Sequence, residues 1–285
     1  MRILMMRWML PALLVGSSLA ARADLIMDAT SGRVIDHADL TARLAKADFL
    51  LLGEVHDNPA HHQARGELLA ALPARFRSLV LEQLDQGRRL DPATPLDETL
   101  EQAGLDREGW GWPLHEPVIA AGRARDMRIA GGNLNRKAAR RLALEGASAL
   151  DETLARMLEQ APLDDTGRRR LEADLAAGHC GKLPASRLPN MALAQRARDA
   201  SLSRTLMETG GPAVLIAGNG HARRDYGVPV VLAAAVPRAL VVSVGFMEAA
   251  PGERPDAAPW RGVFDYLWFT PPARRDDPCA DLKMP

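Results

Sequence analysis

The run Phe49-Leu50-Leu51-Leu52-Gly53-Glu54-Val55-His56-Asp57-Asn58-Pro59 decides the fold. Four consecutive apolar residues leave no polar face, so the segment reads as a strand buried on both sides, as in a parallel sheet covered by helices. Gly53 permits a sharp exit turn. Asn58-Pro59 is an N-cap and first-turn pair, so a helix follows at once and runs to about Leu72, where Pro73 stops it. Apolar strand, polar turn and helix make half of a βαβ unit.

The same grammar repeats on either side. Leu79-Val80-Leu81, Met127 to Ala130, Ala213 to Ala217, Leu240 to Val244 and Val263 to Phe269 read as further strands, and Glu116 to Asp126 as a helix. Residues 85–112 read as loop with a short helix near Leu96 to Ala103. No strand pattern occurs between about Asn135 and Gly210. There Ser148 is placed to cap a helix carrying Leu150, Leu154, Met157 and Leu158, and Leu171 and Leu175 mark a second helix ended by Gly178. Asn190 is placed to cap a third helix that runs to Met207. The expected fold class is α/β: a mostly parallel sheet flanked by helices, built from residues 24–134 and 211–285, with residues 135–210 as a smaller all-helical inserted domain.

The first 23 residues read as an address. Arg2 and Arg7 precede a short apolar run, and Ala21-Arg22-Ala23 is a signal-peptidase site. The expected product is exported and periplasmic, with cleavage after Ala23. No cysteine lies near the cut, so a lipoprotein is not expected. The 285-residue chain carries 36 basic and 36 acidic side chains with only 4% aromatics, which speaks against nucleic acid as a partner. No later run is long and apolar enough for a transmembrane segment. The two cysteines, Cys180 and Cys279, are expected to form a disulfide in an oxidising compartment.

Each main strand turns polar at its carboxyl end: Gly53-Glu54-Val55-His56, Glu82-Gln83, Gly131-Gly132-Asn133 and Gly218-Asn219-Gly220-His221. Ligands of open parallel sheets bind outside these ends, so a single site is expected there. Two of the ends share the form Gly-x-x-His. His61 and His62 fall in the first turn of the helix after Pro59, where the positive helix end favours neutral imidazole, and they join His56 and His221 as candidate ligands. His179 is a candidate lid residue, whereas His37 and His115 are expected to be structural or exposed. Because His221 stands behind a strand end, its removal is expected to change stability by less than about 1 kcal/mol.

The stretch Leu51 to Pro59 with His61-His62-Gln63, and the stretch Leu215 to Pro229, which contains Gly218-Asn219-Gly220-His221-Ala222-Arg223-Arg224-Asp225-Tyr226, together resemble the ChaN-like family of iron-regulated haem-binding proteins in the Tiki and erythromycin-esterase superfamily. His179-Cys180-Gly181, Ala194 to Ala200 and Tyr266 to Pro271 are similar to that family too. The resemblance spans nearly all of residues 30–280. It implies a parallel α/β domain with a smaller helical domain and a role in haem or iron uptake. Haem is the implied cofactor. A homodimer around a flat haem, and haem-uptake receptor or transporter components, are the implied partners.

Two readings of the site follow. In the first, haem iron is held by His56, His61, His62, His221 or the phenolate of Tyr226, with Arg223 and Arg224 on the propionates and Trp110 and Trp112 covering the ring. In the second, a metal-dependent hydrolase or peptidase holds a divalent metal ion with Glu54, His56 and His221, and Glu54 or Glu82 is the general base.

Overall fold

The computed structural model describes residues 24–277 and 279–280; the expected leader, residues 1–23, lies outside them. The elements in chain order are β1 (Leu25–Asp28), β2 (Val34–Ile35), α1 (His37–Leu44), β3 (Phe49–Leu52), α2 (Pro59–Ala71), β4 (Ser78–Asp85), α3 (Leu96–Gln102), α4 (Glu116–Ala124) and β5 (Arg128–Asn133). There follow α5 (Arg136–Glu145), α6 (Glu152–Gln160), α7 (Asp165–Gly178), α8 (Leu188–Thr209), β6 (Ala213–Ile216), α9 (Asn219–Ala222), α10 (Val228–Ala235), β7 (Val241–Glu248) and β8 (Tyr266–Thr270).

The strands form one sheet in the order β2-β1-β8-β7-β3-β6-β4-β5. From β8 to β5 every pairing is parallel, whereas β1 pairs antiparallel with both β2 and β8. The alternation within β3 explains why an all-apolar strand is needed. Leu50 and Leu52 point into one layer with Leu68, Leu69 and Val118 from α2 and α4. Phe49 and Leu51 point into the other, with Leu202 and Leu206 of α8 and Val228 and Leu232 of α10. Asn58 caps α2 through Ala60 N at 2.9 Å. The helices after β3 and β6 thus leave on opposite faces, which opens a crevice outside the carboxyl ends of the strands.

Several boundaries differ from the sequence reading. The hairpin of β1 and β2 and helix α1 were not anticipated, because β2 is two residues long and leaves no periodic signal. Asp151, not Ser148, caps α6. Helix α8 begins at Leu188, two residues before Asn190. The last strand begins at Tyr266, and Val263 and Phe264 instead pack in the core ahead of it. Helices α5 to α8 do form a strand-free segment, held together by Leu142, Ala194 and Ala197. The second half of α8, however, carries Leu202 and Leu206 into the layer under the sheet, so this one helix serves both parts.

Cys180 and Cys279 are disulfide-bonded across a sequence separation of 99. The bond ties the C-terminal tail to the end of α7. Nearer the sheet, Arg275 grips Asp57 and Glu248 through four contacts of 2.6–2.8 Å. Replacing both cysteines with serine should destabilise the protein by about 2–4 kcal/mol, since the reduced chain regains the freedom of a long loop when unfolded. Urea unfolding of the double variant beside the parent measures this; equal midpoints would show that the disulfide contributes no stability.

Candidate functional site

The carboxyl ends of β3, β4, β5 and β6 open onto a cleft of about 770 Å³, lined by Glu54, His56, Glu82, Asn133, Gly218 and His221, with Arg136 of α5 and Arg198 of α8 opposite them. The loop after β3 is clamped to its neighbours. Gly53 leaves room for the Asn219 side chain, whose amide bridges the Phe246 carbonyl at 2.6 Å and the Phe246 N–H at 3.2 Å. Any Cβ at Gly53 would collide with that side chain.

Glu54 is the buried centre. One carboxylate oxygen accepts from His56 Nδ1 at 2.6 Å, Gln83 Nε2 at 3.1 Å and His115 Nε2 at 3.2 Å. The other lies against the fully buried guanidinium of Arg65. Burial alone would raise the Glu54 pKa, but Arg65, with the hydrogen bonds from His115 and His56, holds it well below the usual carboxylate range. A second buried carboxylate, Glu82, accepts from Arg198 at 2.6 Å and from the Gly218 N–H at 2.7 Å, and lies 3.3 Å from His221 Nε2. His221 Nδ1 in turn meets the buried Asp199 at 2.7 Å.

His56 joins the two carboxylates. Nδ1 is bound to Glu54, and Nε2 stands 4.0 Å from Glu82, over the bare Cα of Gly218. Its side chain is 46% exposed on the cleft, edge-on to Trp110 at 4.9 Å. Burial opposes its charge, but Glu82 and Glu54 raise its pKa.

The other expected ligands take different positions. His61 and His62 are fully buried beneath the loop. His61 Nδ1 accepts from the Val55 N–H at 3.0 Å and Nε2 faces the Met247 carbonyl at 3.3 Å. His62 Nε2 donates to the His56 carbonyl at 2.8 Å, while Nδ1 faces Arg65 at 2.7 Å. Burial, with Arg65 nearby, pushes their pKa values down to about 4 and about 3 despite Glu54. Both rings are therefore neutral and aim the backbone that carries His56. Tyr226 is buried and donates to Asp174 at 2.7 Å; burial and that carboxylate push its pKa far up. Arg223 is paired with Asp225 at 2.7 Å and Asp174 at 2.8 Å, and Arg224 with Asp265 at 2.8 Å. None of these three lines the cleft; the cationic groups that do are Arg136 and Arg198. His179 holds the Leu175 carbonyl at 2.7 Å at the end of α7, also outside the lining, whereas Trp110 lies within it.

Arg65, His115 and Asp199 carry the site without having been singled out for it. Arg65 follows His61 by one helical turn on α2, a spacing that was legible. His115 and Asp199 reach the centre only through tertiary packing. Glu54, His56 and His115 also form the group whose ligand atoms lie within 4.8 Å of one another. A divalent cation there would sit beside the Arg65 guanidinium, which already neutralises Glu54.

His221 departs from expectation in its energetics. It is 3% exposed and stands between two buried carboxylates. Burial works against its charge, yet Glu82 and Asp199 push its pKa up to about 9. The folded state thus binds a proton that the unfolded state releases above about pH 6.5. This stabilisation is complete below about pH 6.5 and is lost as pH rises through about 9. His61 and His62 act oppositely: held neutral, they withdraw stability as pH falls below about 6.5. Thermal unfolding should therefore show maximal stability near pH 6–7. In His221→Gln the alkaline decline should flatten and the neutral-pH stability should drop by about 1–3 kcal/mol, rather than the smaller loss expected from the sequence. An alkaline limb as steep in the variant as in the parent would assign that decline to other groups.

Among the described residues no helix is long and apolar enough to cross a membrane. In fold, the chain is similar to the ChaN of Campylobacter jejuni, a structure described as showing cofacial haem binding, at 20% identity and a TM-score of 0.68, with 86% of this chain and 96% of that chain covered. It is more distantly similar to a mutant of the erythromycin esterase EreC in its open conformation, at 14% identity over 86% of this chain and 95% of that one; the TM-score of 0.43 is too low to carry weight. No curated protein is significantly similar in sequence. Residues 40–232, more than half of the chain and including both Gly-x-x-His ends, match the model of the haem-binding uptake family of the Tiki superfamily, ChaN, and the chain belongs to that family.

Proposed function

We propose that this protein is exported to the periplasm, binds haem in the cleft at the carboxyl edge of the sheet, and serves haem or iron uptake. The observation that carries the reading is His56: a half-exposed imidazole on the cleft whose Nδ1 is tied to a buried carboxylate and whose Nε2 faces a glycine. A metal-binding histidine with its second nitrogen on a carboxylate is oriented and made more basic. A Cβ at Gly218 would stand 2.7 Å from Nε2, so the glycine keeps that nitrogen's surroundings open.

The residues present fit haem. His56 would hold the iron, with Glu54 fixing its ring. Val55, Leu84, Trp110 and Leu134 supply apolar wall, and Arg136 and Arg198 are placed for propionates. Arg136 is the more available, with 92% of its side chain exposed, whereas Arg198 already serves Glu82. Bound haem would supply an iron centre with redox chemistry. In this arrangement His61 and His62 position the loop, and His221 with Asp199 positions Glu82 behind His56. The disulfide supports an oxidising compartment. An exposed, flat haem also suits a homodimer, and transfer to receptor or transporter components of haem uptake.

Hemin titration of the purified mature protein tests this. A saturable Soret shift at one haem or fewer per chain is expected, with sedimentation velocity reporting any haem-dependent dimer. No saturable shift, together with tightly held zinc or manganese by elemental analysis, would favour the hydrolase reading instead.

A further inference from the structure

The chain after β8 returns to the loop that carries His56. Glu248, at the end of β7, is the junction. Its Oε1 accepts from Asn58 Nδ2 at 2.6 Å, from the Ala273 N–H at 2.9 Å and from Arg275 Nη2 at 2.6 Å. Arg275 also donates from Nη1 to Glu248 Oε2 at 2.7 Å, and from Nε and Nη2 to the two Asp57 oxygens at 2.7 and 2.8 Å. The guanidinium thus forks two carboxylates, one of them on the residue next to His56. Asn58 is buried, and its amide gives a second hydrogen bond to the Pro271 carbonyl at 3.0 Å.

His61 and His62 hold the same loop through the Val55 N–H and the His56 carbonyl. The tail holds the next two residues, Asp57 and Asn58. An exposed ion pair ordinarily contributes little, because ordering two long side chains offsets the attraction. Two features separate this one. Both pairings of Arg275 are bidentate, which fixes direction as well as distance. The segment is also tethered at both ends, by β8 and by the bond from Cys279 to Cys180. The Cys180 end is firm, since the Cys180 and Gly181 N–H groups close the end of α7 on the Ala177 and Ala176 carbonyls, both at 2.8 Å. A tethered segment loses less conformational freedom when its side chains pair.

We propose that the disulfide-anchored tail braces the loop after β3, with Arg275 as a positioning residue for His56. Its part in haem binding rests on the haem reading above; the brace itself does not. Hydrogen–deuterium exchange of the haem-free mature protein tests the brace. In Arg275→Ala, and in Cys180→Ser/Cys279→Ser, exchange across residues 54–58 should rise about tenfold while exchange across α5 stays parental. Parental exchange at 54–58 in either variant overturns the proposal, as does an equal rise across α5, which would report general loosening. Hemin titration tests the link to His56. Both variants should bind hemin about tenfold more weakly than the parent. Asp57→Ala should reproduce most of the loss seen in Arg275→Ala and add little to it, because the two residues act through one contact. Parental hemin affinity in Arg275→Ala, or full additivity of the two changes, overturns the positioning role. A parent that gives no saturable Soret shift fails the haem reading instead, and exchange then decides the brace alone.

Discussion

His56→Ala should weaken hemin binding about a hundredfold, or ~2.7 kcal/mol, and shift the Soret band of whatever complex remains. Among the imidazoles at the sheet edge this one is exposed on the cleft; His61, His62 and His221 are 3% exposed or less and have both ring nitrogens engaged. The ring fills no core volume, and Glu54 retains Arg65, Gln83 and His115 after its loss. Stability should therefore change by no more than about 1 kcal/mol. Parallel absorption titration and thermal unfolding check both halves. A variant with parental affinity and an unshifted spectrum would place the iron on another group and remove His56 from the site.

Glu54→Ala should destabilise the protein by about 3–5 kcal/mol, because it strands the fully buried Arg65 guanidinium without a counter-charge. The same change frees His56 Nδ1, so haem affinity should fall about 10–100-fold among molecules that remain folded. The two effects separate in Glu54→Ala/Arg65→Met. Removing both charges should recover most of the stability, while affinity stays low because the ring is still untethered. Urea unfolding and hemin titration of the single and double variants supply the numbers. A single variant within about 1 kcal/mol of the parent would mean that solvent or another acid compensates Arg65.

The proposed haem site gives the surrounding network a role. Two buried carboxylates, each held by an arginine, face one half-exposed imidazole. Arg65 keeps Glu54 ionised, and His221 and His56, with Arg198, do the same for Glu82; the ionised acids hold His56 in place. In the proposed haem site the polar cluster would act as a scaffold for His56, not as a set of equivalent ligands.

The linear sequence by itself determined the layers and the edge. An all-apolar Phe49 to Leu52 is tolerated only where both faces are buried, and Asn58-Pro59 starts a helix through local backbone chemistry. The polar ends after β3, β4, β5 and β6 follow, because a strand that leaves a two-sided core must change character. Tertiary structure alone decided which of the polar residues face the cleft. Beyond a strand end there is no period to read, so His56 and His61, five residues apart, were equivalent on paper. Packing of α2 against the Met247 strand buries His61, while the gap above Gly218 leaves His56 open. For the same reason the linear sequence does not show that Arg223 and Tyr226 both pair with Asp174 of α7, 49 and 52 residues away in the chain. A buried charge takes whichever partner folding brings within reach, and chain separation carries no record of that choice.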